Sequence, residues 1–184
     1  FIVGDDMRII SGKYKSKKIE TLKSNDTRPT TDKVRENIFN ILGTIDGSVL
    51  DLFAGSGALG IEALSRGATE AVFIDGAKDA VKMLYANTEE MDEDIQIFRN
   101  DYLRALKALK KRERQFDYIF VDPPYNKGLI DKVLVAILSC DVLKNDGTVI
   151  VESSKDEDYN VGPLVSVKDV DYGTVRVNIL RVGE

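Results

Sequence analysis

An alternation of strand-like and helix-like segments from residue 48 to residue 153 constrains the fold most strongly. The strand-like runs are SVLDLFA, EAVFID, IQIFRN, FDYIFVD and GTVIVES, and each of the first four is followed by a segment with helical spacing of apolar residues. Strands separated by helices of this length pair in parallel. The pattern therefore predicts an α/β fold with a doubly wound, mostly parallel sheet.

The C-terminal segment LVSVKDVDYGTVRVNILR breaks this alternation. It contains two strand-like runs that turn at Tyr172 and Gly173, with no room for a helix between them. We predict that these runs form an antiparallel hairpin at one edge of the sheet, which brings the total to seven strands.

The N-terminal segment has a different pattern. Residues 8–20 predict a short hairpin with Gly12 at its bend, and RPTTDKVRENIFNIL predicts a helix that is capped by Thr30 or Thr31 and ends near Gly43. We therefore predict an N-terminal extension, a hairpin plus a helix, over residues 7–43 and an α/β domain over residues 44–184. Residues 1–6 precede a methionine, and we expect them to be a remnant of expression.

Histidine is absent, and the chain has a single cysteine, Cys140. This composition excludes Ser-His-Asp hydrolysis, Cys-His nucleophiles and most zinc sites. The chemistry must use carboxylates, backbone groups or a cofactor. The apolar runs are shorter than the roughly 20 residues of a membrane span, and no signal-peptide layout is visible, so we expect a soluble, cytoplasmic protein.

The charge is uneven along the chain. The net charge is −5, yet residues 7–40 contain nine Lys and Arg residues against four acids. A basic segment on an acidic protein is typical of a surface that binds phosphate, although a solvated hairpin is the alternative interpretation. The nine basic residues are Arg8, Lys13, Lys15, Lys17, Lys18, Lys23, Arg28, Lys33 and Arg35.

The segment LDLFAGSGALG contains a G-x-G-x-x-G pattern, at Gly55, Gly57 and Gly60, between a strand and a helix. This pattern fits dinucleotides and other nucleoside cofactors, so a nicotinamide-dependent oxidoreductase is one alternative. Asp51 favours another ligand, because its carboxylate would repel a pyrophosphate and attract an ammonium and a sulfonium. S-adenosylmethionine carries both cations. An aspartate satisfied by backbone amides is the structural alternative.

Two further positions fit a nucleoside ligand. Asp75 ends the second strand, about twenty residues after the glycines, where an acid binds ribose hydroxyls in sheets of this class. Asp101 and the backbone amide of Tyr102 follow the third strand and could bind an adenine edge, while Asn100 or Asp101 could instead cap the next helix.

The segment VDPPY places an acid and two prolines directly after the fourth strand. An exocyclic base amine is a poor nucleophile because its lone pair is delocalised into the ring. The Asp122 carboxylate and the Pro123 carbonyl could accept its two hydrogens, while Pro123 and Pro124 fix the direction of these acceptors. Tyr125 offers a face on which an extruded base could stack.

These motifs carry a family resemblance. D-P-P-Y resembles motif IV of class I amino-methyltransferases, and MRIISGKYKSKKIE, RPTTDKVRENIFNIL, LDLFAGSGALGIEALSRGA and VDPPY closely resemble the bacterial 16S rRNA guanine-N2 methyltransferase family. The resemblance covers essentially the whole chain from Met7. It implies a Rossmann-like methyltransferase domain and transfer of a methyl group from S-adenosylmethionine to the exocyclic N2 of one guanine in 16S rRNA. An assembling small ribosomal subunit is the implied partner; we expect no metal and no membrane contact, and a monomer.

The resemblance also assigns roles to residues. The implied catalytic residues are Asp122, Pro123, Pro124 and Tyr125; the implied cofactor residues are Asp51, Phe53, Ala54, Gly55, Ser56, Gly57 and Asp75, to which the nucleoside reasoning adds Asp101 and Tyr102. The predicted RNA contacts are Arg8, Lys13, Lys15, Arg28, Thr30 and Arg35. Motif IV does not distinguish guanine N2 from adenine N6, so an adenine or a protein glutamine amide is the alternative substrate. A catalytically silent RNA-binding module is a further alternative.

Overall fold

The computed structural model describes residues 7–21, 31–125 and 128–183. The predicted RNA contacts Arg28 and Thr30, and the predicted remnant at residues 1–6, lie outside these ranges. The strands are β1 (Met7–Arg8), β2 (Lys18–Ile19), β3 (Gly47–Asp51), β4 (Ala68–Asp75), β5 (Asp94–Arg99), β6 (Phe116–Val121), β7 (Leu143–Ser154), β8 (Leu164–Tyr172) and β9 (Val175–Val182). The helices are α1 (Asp32–Leu42), α2 (Ala58–Ser65), α3 (Lys78–Thr88), α4 (Tyr102–Lys111) and α5 (Ile130–Ser139).

The main sheet has seven strands in the order β5-β4-β3-β6-β7-β9-β8. Strands β3 to β7 pair in parallel, β9 pairs antiparallel with β7, and β8 pairs antiparallel with β9. The predicted doubly wound, mostly parallel sheet with an antiparallel C-terminal hairpin is confirmed. The winding reverses between β3 and β6, and ligands of such sheets bind at the carboxyl ends of the strands at this switch point.

Helices cover both faces of the sheet. One face packs on α1, α2 and α3, and its core includes Phe39, Leu84 and Phe120. The other face packs on α4 and α5, and its core includes Leu106 and Val133. The near-continuous apolar composition of β3, β4 and β6 follows from this arrangement, because strands that are covered on both faces bury all their side chains.

The predicted N-terminal hairpin and helix are also confirmed. β1 and β2 pair antiparallel, and Gly12 lies in the bend at a φ of 94°. A side chain at Gly12 would collide with the Ser65 backbone carbonyl, so the bend approaches α2 closely. Thr31 caps α1 by accepting a hydrogen bond from the Val34 amide, and α1 ends at Gly43, where φ is 72°.

The position of Arg35 differs from the one that the sequence predicts. We predicted an RNA contact, but the Arg35 side chain is 0% exposed and forms an ion pair with Glu62 at 3.3 Å. It also donates to the Arg8 carbonyl at 2.8 Å and to Asp32 at 2.7 Å. Glu62, itself 0% exposed, accepts hydrogen bonds from the amides of Ile10 and Ser11. These contacts join the hairpin and α1 to α2. The buried Arg35 guanidinium is therefore not available to a phosphate at the surface.

Candidate active site

Three acids lie together at the carboxyl ends of three adjacent strands. Asp51 ends β3, Asp122 follows β6, and Glu152 lies near the end of β7. Phe120 pairs with both Asp51 and Ile150 across the sheet. Because side chains alternate along a strand, Glu152, two residues after Ile150, belongs to the same face as Asp51. Asp122 is the first residue after β6, the strand between them, so the switch point is acidic.

Asp51 is buried, with an exposure of only 2%. Its Oδ2 accepts a hydrogen bond from the Gly60 amide at 3.0 Å. This contact is the kind that the alternative interpretation, an aspartate satisfied by backbone amides, predicts. Burial nevertheless raises the pKa of Asp51 to about 7, and the charges of Asp75 and Glu152 add to the increase. The single hydrogen bond from the Gly60 amide does not compensate the ionised carboxylate for its lost hydration. A cation bound beside the carboxylate would stabilise the ionised form.

The glycine loop is held by the acid of the neighbouring strand. Gly55 and Gly57 adopt φ values of 56° and 87°, a region that favours glycine. Asp75 Oδ2 accepts a hydrogen bond from the Gly55 amide at 2.8 Å, and its Oδ1 accepts one from the Ala77 amide at 2.9 Å. Each carboxylate oxygen has a second lone pair, so Asp75 can also accept a hydroxyl of a bound nucleoside.

The other predicted cofactor residues surround this loop. The Ala54 amide donates to the Ile74 carbonyl at 2.9 Å, and the Ser56 carbonyl accepts from Asn87 at 2.8 Å. The rings of Phe53 and Tyr102 lie 5.7 Å apart, between the loop and the start of α4. Asp101 caps α4 by accepting from the Arg104 amide at 2.9 Å, which confirms the alternative N-cap interpretation.

The D-P-P-Y segment lies directly after β6, beside this loop. Asp122, Pro124 and Tyr125 are half-buried, and Pro123 is buried. The Tyr125 hydroxyl donates to Glu152 Oε1 at 3.4 Å. Sequence reasoning missed Glu152, which is 2% exposed. A signal existed, because an acid interrupts the apolar run VIVES near the end of its strand, just as Asp51 ends VLD.

The predicted RNA contacts fall into two groups. Arg8, Lys13 and Lys15 are exposed on the N-terminal hairpin, whereas Arg35 is buried. Lys13 lies 3.1 Å from Glu93 and 3.6 Å from Asp92. The hydrogen bond to Glu93 raises the pKa of Lys13. The positive charge of Lys13 is therefore compensated locally by two acids.

Within residues 7–21, 31–125 and 128–183, no cluster of three or more Cys, Asp or Glu side chains is arranged to hold a metal ion. The helices found in those same ranges are all too short or too polar to cross a bilayer.

Comparison with known proteins identifies relatives that match nearly the whole chain. The family model described as "Conserved hypothetical protein 95" matches residues 7–181. A Bacillus subtilis (strain 168) protein, provisionally named as the rRNA methyltransferase YlbH, is 41% identical over 181 residues, which cover 95% of this chain and 98% of that protein. Escherichia coli (strain K12) "Ribosomal RNA small subunit methyltransferase D" is 35% identical over 149 residues, covering 80% of this chain and 74% of that protein.

Solved structures have the same architecture. A provisionally named methyltransferase from Escherichia coli, yhhF, superposes with a TM-score of 0.81 and 28% identity, covering 97% of this chain and 99% of that one. The T. thermophilus 16S rRNA N2 G1207 methyltransferase, in complex with AdoMet and guanosine, superposes with a TM-score of 0.73 over 97% of this chain and 50% of that one, and its 21% identity supports the class I methyltransferase fold alone. The chain belongs to the Conserved hypothetical protein 95 family, together with the proteins named ribosomal RNA small subunit methyltransferase D.

Proposed function

We propose that the protein transfers a methyl group from S-adenosylmethionine to the exocyclic N2 of a guanine in small-subunit rRNA. The observation that carries this proposal is the position of D-P-P-Y beside the glycine loop, at the switch point of the sheet. The relatives named for small-subunit rRNA methylation support the substrate class. The T. thermophilus 16S rRNA N2 G1207 methyltransferase has the same fold and was solved with AdoMet and guanosine, so this fold can hold both molecules.

The residues around the loop fit S-adenosylmethionine. The buried Asp51 carboxylate would face the ammonium or the sulfonium, and this contact would replace the hydration that burial removed. Apart from Gly55 and its two chain neighbours, no heavy atom of the described residues lies within 4 Å of the position that a Gly55 Cβ would occupy. The loop backbone can therefore approach a ligand closely. Asp75 would accept ribose hydroxyls, and Phe53 and Tyr102 would contact the adenine. When bound, the cofactor supplies an activated methyl group.

The D-P-P-Y segment would hold the target amine. The Asp122 carboxylate and the Pro123 carbonyl would accept its two N–H groups, which turns the nitrogen lone pair toward the methyl group. The proline rings fix the backbone on which both acceptors depend. The bound cofactor would supply its methyl group to this nitrogen, and Asp122 would accept the surplus amine proton along its hydrogen bond. Catalysis then consists mainly of orientation and removal of water.

A substrate panel tests this function. The purified protein is incubated with labelled S-adenosylmethionine and, in parallel, naked 16S rRNA, partly assembled small subunits, adenine-containing DNA and a protein glutamine substrate. We expect label in rRNA or in small subunits, and a modified guanine N2 when the base is mapped. Label at adenine N6 or at a glutamine amide would instead support the alternative amino-methyltransferase activities. RNA binding without label in any substrate would support the silent binding module.

The Gly55 backbone gives a prediction for cofactor affinity. Gly55→Val places a branched side chain at a φ of 56°, which costs on the order of 1–2 kcal/mol and displaces the loop. We expect calorimetry to show S-adenosylmethionine affinity lowered at least about tenfold. Gly43→Val is the matched control, because Gly43 also has a positive φ and open space around it but ends α1. Equal affinities for both variants would remove the loop from the cofactor site.

The hairpin lysines give a prediction for RNA affinity. Replacing Lys15, Lys17 and Lys18 with serine should weaken rRNA binding and lower its salt slope by about two to three, because each phosphate contact contributes slightly less than one unit. S-adenosylmethionine affinity should not change. The matched control replaces Lys107, Lys110 and Lys111, three exposed lysines of α4 on the opposite face of the sheet. A hairpin variant with the wild-type salt slope would support the solvated-hairpin alternative.

A further inference from the structure

Glu152 is a buried acid that the mechanism above does not use. It lies on β7, pairs across the sheet with Val177 of β9, and is 2% exposed. Burying a carboxylate is costly unless hydrogen bonds compensate. Its charge also contributes to the raised pKa of Asp51, so this acid makes ionisation of a neighbouring group less favourable. The contacts of the Glu152 carboxylate therefore bear on what this residue does.

Tyr125 provides the geometric link to that role. The Tyr125 hydroxyl donates to Glu152 Oε1 at 3.4 Å, across 27 positions of sequence. This oxygen–oxygen distance is long for such a bond, and contacts in ligand-free sites commonly shorten when the reacting complex forms. Tyr125 follows two prolines on a half-buried segment. The contact with Glu152 therefore holds the hydroxyl end of the Tyr125 ring.

We propose that Glu152 is a positioning residue that fixes the Tyr125 ring through the phenol hydroxyl, so that the ring presents its face to the target base. This inference rests on the proposed function, because it assumes that a base stacks on Tyr125. Glu152 lies on β7, which is held in place by pairing with β6 on one side and with β9 on the other. A side chain on this strand can therefore anchor a residue in the neighbouring segment.

A double-mutant cycle tests the link. Glu152→Met removes the acceptor, Tyr125→Phe removes the donor, and each is expected to lower kcat/KM for rRNA roughly tenfold, since small misplacements of reacting groups cost up to about 10² in rate. The double variant should be no slower than either single variant, because both changes remove one contact. Multiplicative losses would show that the two residues act independently, which would overturn the proposal.

The Glu152→Gln variant separates positioning from charge. A glutamine carbonyl can still accept the phenol hydroxyl, so the proposal predicts kcat/KM close to that of the wild type and an unchanged KM for S-adenosylmethionine. A charge effect on the cofactor would instead impair Glu152→Gln as strongly as Glu152→Met, and that result would also overturn the proposal. Tyr159→Phe is the matched control, because it removes a tyrosine hydroxyl that bonds Asn178 of β9 at 3.0 Å.

A measurement without turnover separates this proposal from the proposed function. The seven tyrosines are replaced by 3-fluorotyrosine, and the Tyr125 fluorine resonance is identified by its loss in Tyr125→Phe. We expect Glu152→Met to shift this resonance, whereas Glu152→Gln and Tyr159→Phe should leave it near its wild-type position. An unshifted resonance in Glu152→Met would refute the contact. A shifted resonance in a protein that methylates no RNA would refute the proposed function instead.

Discussion

Asp122→Ala is expected to lower kcat for rRNA methylation by on the order of 10³, the loss typical of removing one oriented group that stabilises a transition state. The variant keeps the Pro123 carbonyl but loses the acceptor that also receives the amine proton. The amine then approaches the methyl group with its lone pair still delocalised. S-adenosylmethionine affinity should stay within several-fold of the wild type, because the proposed partner of Asp122 is the base.

Single-turnover methylation and calorimetry on the same preparations check this expectation. Asp158→Ala is the matched control, since it removes an exposed acid of the same size beyond β7. Near wild-type turnover of Asp122→Ala would remove Asp122 from the mechanism. Loss of cofactor affinity in parallel with turnover would place Asp122 in the cofactor site instead.

Asp51→Asn is expected to stabilise the ligand-free protein while weakening S-adenosylmethionine binding by at least about tenfold, because the cation loses its buried counter-charge. Asparagine keeps the shape of the side chain and can still accept the Gly60 amide. Burial raises the pKa of Asp51 to about 7 in the folded protein, against an ordinary value of 3.8. The difference corresponds to roughly 4 kcal/mol when Asp51 is fully ionised.

The pH dependence follows from the direction of this shift. Between pH 3.8 and about 7, folded Asp51 holds a proton that the unfolded chain has released. The wild-type contribution to stability is therefore present at low pH and is lost as the pH rises through that window. The stabilising effect of Asp51→Asn should grow from pH 4 to pH 7 and stay constant above.

Urea unfolding of both proteins from pH 5.5 to pH 8 measures this difference. Wild-type cofactor affinity should rise over the same range, because binding of a cation favours the ionised carboxylate, and calorimetry in buffers of different ionisation enthalpy should detect proton release. A constant stability difference across the range would show that Asp51 does not titrate there. A pH-independent affinity would separate Asp51 from the bound cation.

Local patterns were sufficient to predict most of the fold. The strand and helix order, the Thr31 cap and the turn at Gly173 each depend on neighbouring residues, so the sequence alone specifies them. The structure changed the boundaries: the predicted first strand extended to Ala54, whereas β3 ends at Asp51. At Ala54 the chain has left the ladder with β6, because its amide donates to the Ile74 carbonyl of β4.

The errors at the site have different physical causes. The family resemblance and the basic composition of residues 7–40 predict Arg35 as an RNA contact, and neither contains information about burial. Its spacing did contain that information, since Arg35 lies three residues before Ile38 and four before Phe39, on the buried face of α1. Glu152 was missed because its contact with Tyr125 joins two segments that only the completed sheet brings together.

The buried pair of Arg35 and Glu62 also limits how this protein can be divided. Arg35 comes from α1 and Glu62 from α2, and both side chains are 0% exposed. Removing one partner of such a pair typically costs about 3–5 kcal/mol, since the other charge stays buried without compensation. The hairpin and α1 are therefore not an interchangeable module. An exchange of the hairpin surface between relatives would have to leave this internal junction intact.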